Sequence, residues 1–121
     1  MNEFYLTNVQ AWAVGITVAI IIMDIVTGLI SAFTTHTFES SKMREGLGHK
    51  MLLLCFIAIA YIIELGGAHI PGLGFTELTV PAVCIYIIIM EIGSCAENIV
   101  KGYPDLADTA LIRLFIKNEK E

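Results

Sequence analysis

The sequence predicts an all-α membrane protein: three transmembrane helices, a short C-terminal interfacial helix, N-terminus out and C-terminus in. Three observations carry that prediction. Of the 121 residues, 56% are hydrophobic and ten more are glycine, an apolar-plus-glycine share of about 64%, and only 16% are charged, against roughly 45–50% and 25% in ordinary soluble domains. Such a chain cannot supply the polar surface that a soluble domain of this size needs. Three stretches are long enough to cross a bilayer once flanking polar residues are included, and every Lys and Arg falls in two segments on one side of them. The same figures exclude a disordered chain, a disulfide-rich miniprotein and a nucleic-acid binder. The length allows a single domain, 1–121.

The first span, near 10–33, is the strongest. Val9 to Phe33 carries one charge, Asp24, and exceeds the roughly 20 residues that a bilayer core requires. An Asp at mid-helix opposes insertion by about 2.5–3.5 kcal/mol, whereas each Leu, Ile, Phe or Val returns about 0.3–0.6. Eleven such residues between Ala11 and Phe33 outweigh it. The second span, near 50–69, is built on the uncharged run Met51 to Ile63 and takes in Glu64 and His69. The third, near 78–99, extends Leu78 to Met90 through Glu91 and Glu97. With nine strongly apolar residues against two carboxylates, it depends most on partner helices.

The connections are read as loops. Thr34 to Lys50 is polar and basic, with Gly46 and Gly48 loosening the approach to the second span. Gly66-Gly67 and Pro71-Gly72-Leu73-Gly74 make a short hairpin. Gly102-Tyr103-Pro104 stops the third helix. A tail helix over about 105–117 is expected, with Asp105 and Asp108 in its first turn and Arg113 and Lys117 in its last, matching the helix dipole. Its partial amphipathicity fits a helix lying on the membrane surface. Glu3 and the absence of an early Lys or Arg argue against a secretory signal.

Orientation follows from seven basic residues. Lys42, Arg44 and Lys50 precede the second span, and Lys101, Arg113, Lys117 and Lys120 follow the third. Three spans place both groups on one side, which the positive-inside rule makes cytoplasmic.

Ionisable groups at membrane depth are functional candidates by default. Thr17, Asp24, Thr27, Gly28 and Ser31 share one face of the first helix, and Cys84, Glu91, Ser94, Cys95 and Asn98 one face of the third. These stripes must face protein or water. The candidate lumen or helix-contact residues are therefore Asp24, Thr27, Ser31, Glu64, Glu91, Ser94 and Asn98, with Glu64 near the outer interface. With no basic residue expected at their depth, Asp24 and Glu91 are expected to be buried in protonated form. Ser94, Asn98 and the threonines fit helix packing better than chemistry. Gly15, Ala19, Gly28 and Ala32, with Ala11, form the small-residue pattern of close helix contact. Trp12 and Tyr103 suit interface anchors. The histidines His36, His49 and His69 share no ligand spacing, and the three cysteines read as apolar filler. No nucleophile–base pair, phosphate loop or metal cluster is legible, so neither an enzyme nor a cofactor is expected.

Three motifs resemble a known family. Asp24-x-x-Thr27-Gly28 is followed by Ser40-Ser41-Lys42-Met43-Arg44-Glu45-Gly46-Leu47 and Lys50, and later by Glu91-x-x-Ser94-x-x-Glu97-Asn98-x-x-x-Gly102-x-Pro104. The chain resembles the toxin-secretion/phage-lysis holin family of phages of Gram-positive bacteria and clostridial toxin loci, from about Asp24 to Phe115. It departs at Asp105, where a further apolar or proline-containing stretch is common. The resemblance implies a multi-pass protein of the host cytoplasmic membrane, with the lipid bilayer and further copies of itself as partners. It implies lesions that release an endolysin without direct contact, collapse of the membrane potential, and an antiholin as a further partner. The rival readings are a small proton-coupled transporter and an antiholin or partner subunit of a pore-former. Antiparallel pairing of small transporters needs a balanced Lys/Arg distribution, which the seven-to-zero bias opposes.

Overall fold

The computed structural model describes residues 7–74, 78–109, 113 and 114. They form three long helices, α1 (Asn8–Thr34), α2 (Ser40–His69) and α3 (Thr79–Gly102), with a 3₁₀ turn over Pro104–Asp108 and no strand among the described residues. All three helices are long and apolar enough to cross a membrane.

Local chemistry sets the ends of α1. Thr7 and Gln10 form a reciprocal capping box: the Thr7 hydroxyl accepts from the Gln10 amide and the Gln10 side chain accepts from the Thr7 amide. At the other end the Thr37 N–H donates to the Ala32 carbonyl at 2.8 Å and the His36 N–H to that of Phe33 at 3.4 Å. That is a Schellman ending, with His36 (φ 58°) in the left-handed position usually taken by glycine. Phe33 and Phe38 stack across the turn, with ring centroids 4.7 Å apart.

The second helix starts some ten residues before the expected position. Ser40 to Lys50, read as a loop, is helical. The segment contains no proline, and its Lys, Met, Arg, Glu and Leu are good helix formers. Once the apolar run nucleates the helix, propagation through Gly46 and Gly48 opposes it by only about 1 kcal/mol per glycine. Gly66 and Gly67 are likewise inside α2, and the turn is made by the residues beyond His69, with Gly72 (φ 89°) and Gly74 (φ 86°) left-handed.

The third helix carries Pro81 in its first turn, where a missing N–H is harmless. Tyr103 and Pro104 end it. The expected α-helix does not begin at Asp105. Bonds from Leu106 N–H to the Tyr103 carbonyl and from Thr109 N–H to the Leu106 carbonyl make a tight 3₁₀ turn instead, and Thr109 is extended. Pro104 fixes φ and supplies no donor, so the chain re-enters as one short turn. Arg113 and Leu114 are helical, while the rest of the expected tail helix, including Lys117, lies outside the described residues, as does Lys120.

α3 packs along most of α1 and against α2, whereas α1 and α2 scarcely touch. Each helix contributes one seam at alternating three- and four-residue spacing: Gln10, Thr17, Ile21, Asp24 and Ser31 on α1, Lys50, Leu53, Ile57, Ala60 and Glu64 on α2, Val80, Cys84, Ile87, Glu91 and Asn98 on α3. This is the pattern of coiled-coil-like packing. Ile21, Ile57, Ala60, Val80, Cys84 and Ile87 form the apolar core. Outside it the usual distribution is inverted. Gln10, Thr17, Ser31, Glu64 and Glu91 are buried, while Trp12, Ile16, Ile22, Leu52, Ile62, Ile85 and Ile89 are exposed. Polar inside and apolar outside is the arrangement that hydrocarbon imposes.

Candidate functional site: two polar layers inside the bundle

The polar seam residues gather in two layers, fourteen residues apart on both α1 and α2, or about 21 Å along each helix. The first joins the start of α1, the end of α2 and the start of α3. The Gln10 side-chain amide donates to Glu64 Oε2, and the Val80 N–H donates to Glu64 Oε1 at 2.9 Å. Leu78, the N-cap position of α3, makes no side-chain cap, so a carboxylate from α2 satisfies an orphan N–H there and meets the positive end of the helix dipole. Glu64 and Gln10 are both buried.

The second layer is charged. Lys50 Nζ lies 2.5 Å from Asp24 Oδ2 and 3.0 Å from both Glu91 oxygens. The Asn98 amide donates to Asp24 Oδ1 at 2.8 Å and lies within reach of Thr27 Oγ1 at 3.1 Å. Glu91 is the deepest, 2% exposed, against 11% for Asp24 and 17% for Lys50. All three sit about 15 Å from the end of the bundle where α1 and α3 finish and α2 begins. From that end an open cleft of about 740 Å³ runs between the helices, lined by Asp24, Lys50, Ser94, Asn98 and Lys101 among others.

The expectation that no base reaches the depth of Asp24 and Glu91 is therefore wrong. Its place beside the apolar run puts Lys50 in a basic loop by sequence, but α2 begins ten residues earlier and carries it into the bundle. The missed signal is the spacing: Lys50 stands to Glu64 as Asp24 does to Gln10. Gln10 was missed too, lying at the very edge of the first span.

The other expected residues divide. Thr27 also donates to the Met23 carbonyl at 2.8 Å. Gly28 faces Asn98 closely, since a Cβ there would lie 3.4 Å from Asn98 Nδ2. Ser31 packs on Gly102, and its hydroxyl is buried without a hydrogen-bond partner. Ser94 is half-buried on the cleft wall, as is Ala32. Gly15 and Ala19 are exposed, and among the described residues nothing lies within 4 Å of a Cβ built at Gly15. Lys42, Arg44, Lys101 and Arg113 are exposed, and Lys42 lies 3.7 Å from Glu39.

A seam of charged and polar groups enclosed by three spanning-length apolar helices is the setting for the comparison with known proteins. The profile of the bacteriophage holin family matches residues 3–104. The chain belongs to the bacteriophage holin family. That is a family of membrane pore-forming proteins of phage lysis, not of enzymes, and membership together with the three helices makes this holin-family chain a multi-pass membrane protein. No curated protein and no solved structure matches it. Both polar layers fall inside the matched region.

Proposed function

We propose that this chain acts as a phage holin. It accumulates in the host cytoplasmic membrane, with its N-terminus outside and its basic end, including the tail beyond Thr109, on the cytoplasmic surface. It then oligomerises into lesions that collapse the membrane potential and release an endolysin. Orientation in this reading rests on Lys42, Arg44, Lys101, Arg113, Lys117 and Lys120, with Lys50 set aside as a member of the internal cluster.

The observation that carries the proposal, beside family membership, is the polar seam. In a single bundle the groups of its two layers satisfy one another: Glu64 holds Gln10 and Val80, Lys50 holds Asp24 and Glu91, and Asn98 holds Asp24. Because α1 and α2 are joined mainly through these side chains, separating them exposes charged and amide groups without disrupting an extensive apolar interface. In an assembly of many copies, helices that part along this seam turn it towards an aqueous lumen, where hydration replaces the internal partners. The outward face containing Ala11, Gly15 and Ala19 is available for contact between copies.

The test is induction of the chain alone in bacteria, following turbidity, membrane potential and leakage of a large cytoplasmic enzyme, with and without a co-expressed endolysin. The expected result is a delay, then abrupt growth arrest and loss of potential, with lysis when endolysin is present. Inert behaviour alone overturns the reading in favour of a partner subunit or antiholin. Solute-dependent uptake with the potential intact overturns it in favour of a transporter.

A further inference from the structure

The charged layer contains two carboxylates and one ammonium. Lys50 donates to Asp24 Oδ2 and to both oxygens of Glu91. Asp24 has a second donor in Asn98, whereas both Glu91 oxygens meet the same ammonium. If every group is ionised, the layer holds one uncompensated negative charge, on residues almost wholly removed from solvent. A buried excess charge is neutralised rather than tolerated, and of two carboxylates sharing one cation the deeper and less well partnered one takes up the proton.

Among the described residues no cation other than Lys50 lies within ion-pair distance of Asp24 or Glu91, and Lys42 lines the cleft without reaching them. Asp24 faces the layer from α1 and Lys50 from α2. From α3, one turn beyond Glu91, the Cys95 thiol donates to the Ile20 carbonyl at 3.9 Å. Glu97 and Lys101 stand farther out along the cleft, with His36 near its mouth. The cleft itself reaches Asp24 and Lys50, giving water a path to the layer.

We propose that the Asp24–Lys50–Glu91 cluster is a proton-binding site of the single bundle, with Glu91 carrying the proton and the cleft connecting it to water. The step is a simple one: a Glu91 carboxylate plus a proton from cleft water gives a carboxylic acid, and the reverse returns the proton to water. The cluster then counts as one ammonium, one carboxylate and one neutral acid. The inference concerns the bundle itself and stands whether or not assembled copies form lesions.

Infrared difference spectroscopy of the full chain in phospholipid vesicles tests it directly, by titrating from neutral to alkaline pH and reading the C=O stretch of a protonated carboxyl. The expected result is one such band at neutral pH, lost on alkalinisation, and shifted when the chain is labelled with carboxyl-heavy-carbon glutamate but not with labelled aspartate. Glu91→Gln removes the band. Asp24→Asn removes it as well, although that residue does not carry the proton, because a one-to-one Lys50–Glu91 pair needs none. Lys50→Met keeps the band to higher pH. Glu64→Gln, measured alongside, leaves it unchanged. A wild-type chain with full helical content and no band at neutral pH overturns the proposal. So does a band that follows aspartate labelling, or one that survives Asp24→Asn in a folded protein. The labelling arms use the unaltered sequence and remain decisive if a variant fails to fold.

Discussion

The two polar layers are built on the same pair of helices at the same spacing, yet they handle a buried carboxylate in different ways. Glu64 is held by neutral donors, the Gln10 amide and the Val80 N–H, at the positive end of a helix dipole. It joins the ends of three helices. Asp24 and Glu91 share one lysine, and Asp24, which also accepts from the Asn98 amide, lies along a cleft. The first layer is a closed cap that ties helix ends together. The second is an ion cluster whose balance depends on a single ammonium, so it can change state when that balance changes. A buried carboxylate in a membrane helix is thus not one kind of feature: its partners decide whether it fixes a structure or primes it.

The largest expected effect lies in the charged layer. Lys50→Met leaves two buried carboxylates without their cation, and removal of one partner from a buried ion pair destabilises by about 3–5 kcal/mol. Reversible unfolding in mixed detergent micelles, followed by circular dichroism, should show that loss. Combining Lys50→Met with Asp24→Asn and Glu91→Gln should recover most of it. A loss no larger than that of Glu64→Gln would erase the distinction between the layers. Next comes the cap: Glu64→Ala strands the Gln10 amide and the Val80 N–H and should destabilise by about 1–3 kcal/mol, with Glu64→Gln retaining much of the stability in the same assay.

Effects no larger than that are expected at the glycine positions. Gly28→Leu drives a side chain into Asn98 and should loosen its hold on Asp24, at about 1–3 kcal/mol. Gly15→Leu meets open space within the chain. It should leave unfolding unchanged within about 0.5 kcal/mol and alter only chemical cross-linking between copies. The smallest effect is His36→Gly, which relieves a left-handed residue at the end of α1 and should stabilise by about 1 kcal/mol or less.

Much of this molecule was legible in the sequence. The apolar runs gave three spans, and α1 and α3 lie within about three residues of where the pattern places them. The stripe of Cys84, Glu91, Ser94, Cys95 and Asn98 faces α1 and the cleft, because a helix keeps residues three and four apart on one side whatever surrounds it. The start of α2 was obscured because Ser40 to Lys50 is polar, and polarity alone does not separate a loop from a helix that projects beyond the hydrocarbon. At roughly 45 Å, α2 is longer than a bilayer core. That single displacement concealed Lys50, since a lysine at a span edge reads as an orientation signal until its helix is seen to start earlier. Gly15 and Gly28 look alike in sequence, and only packing separates the one facing outward from the one against Asn98. The 3₁₀ turn after Pro104 was beyond pattern reasoning, because Asp105 and Asp108 suit the first turn of either helix type.

The central claim is that the chain crosses the bilayer three times in one sense, with the charged layer near its basic end. Single cysteines at Asn8→Cys, Thr37→Cys, Pro71→Cys and Asp108→Cys, in a chain whose Cys55, Cys84 and Cys95 are replaced by alanine, test it most directly. Intact cells are exposed to a membrane-impermeant maleimide. Labelling is expected at Asn8→Cys and Pro71→Cys, and at Thr37→Cys and Asp108→Cys only after permeabilisation. Labelling of Asn8→Cys and Asp108→Cys from the same side would contradict that claim.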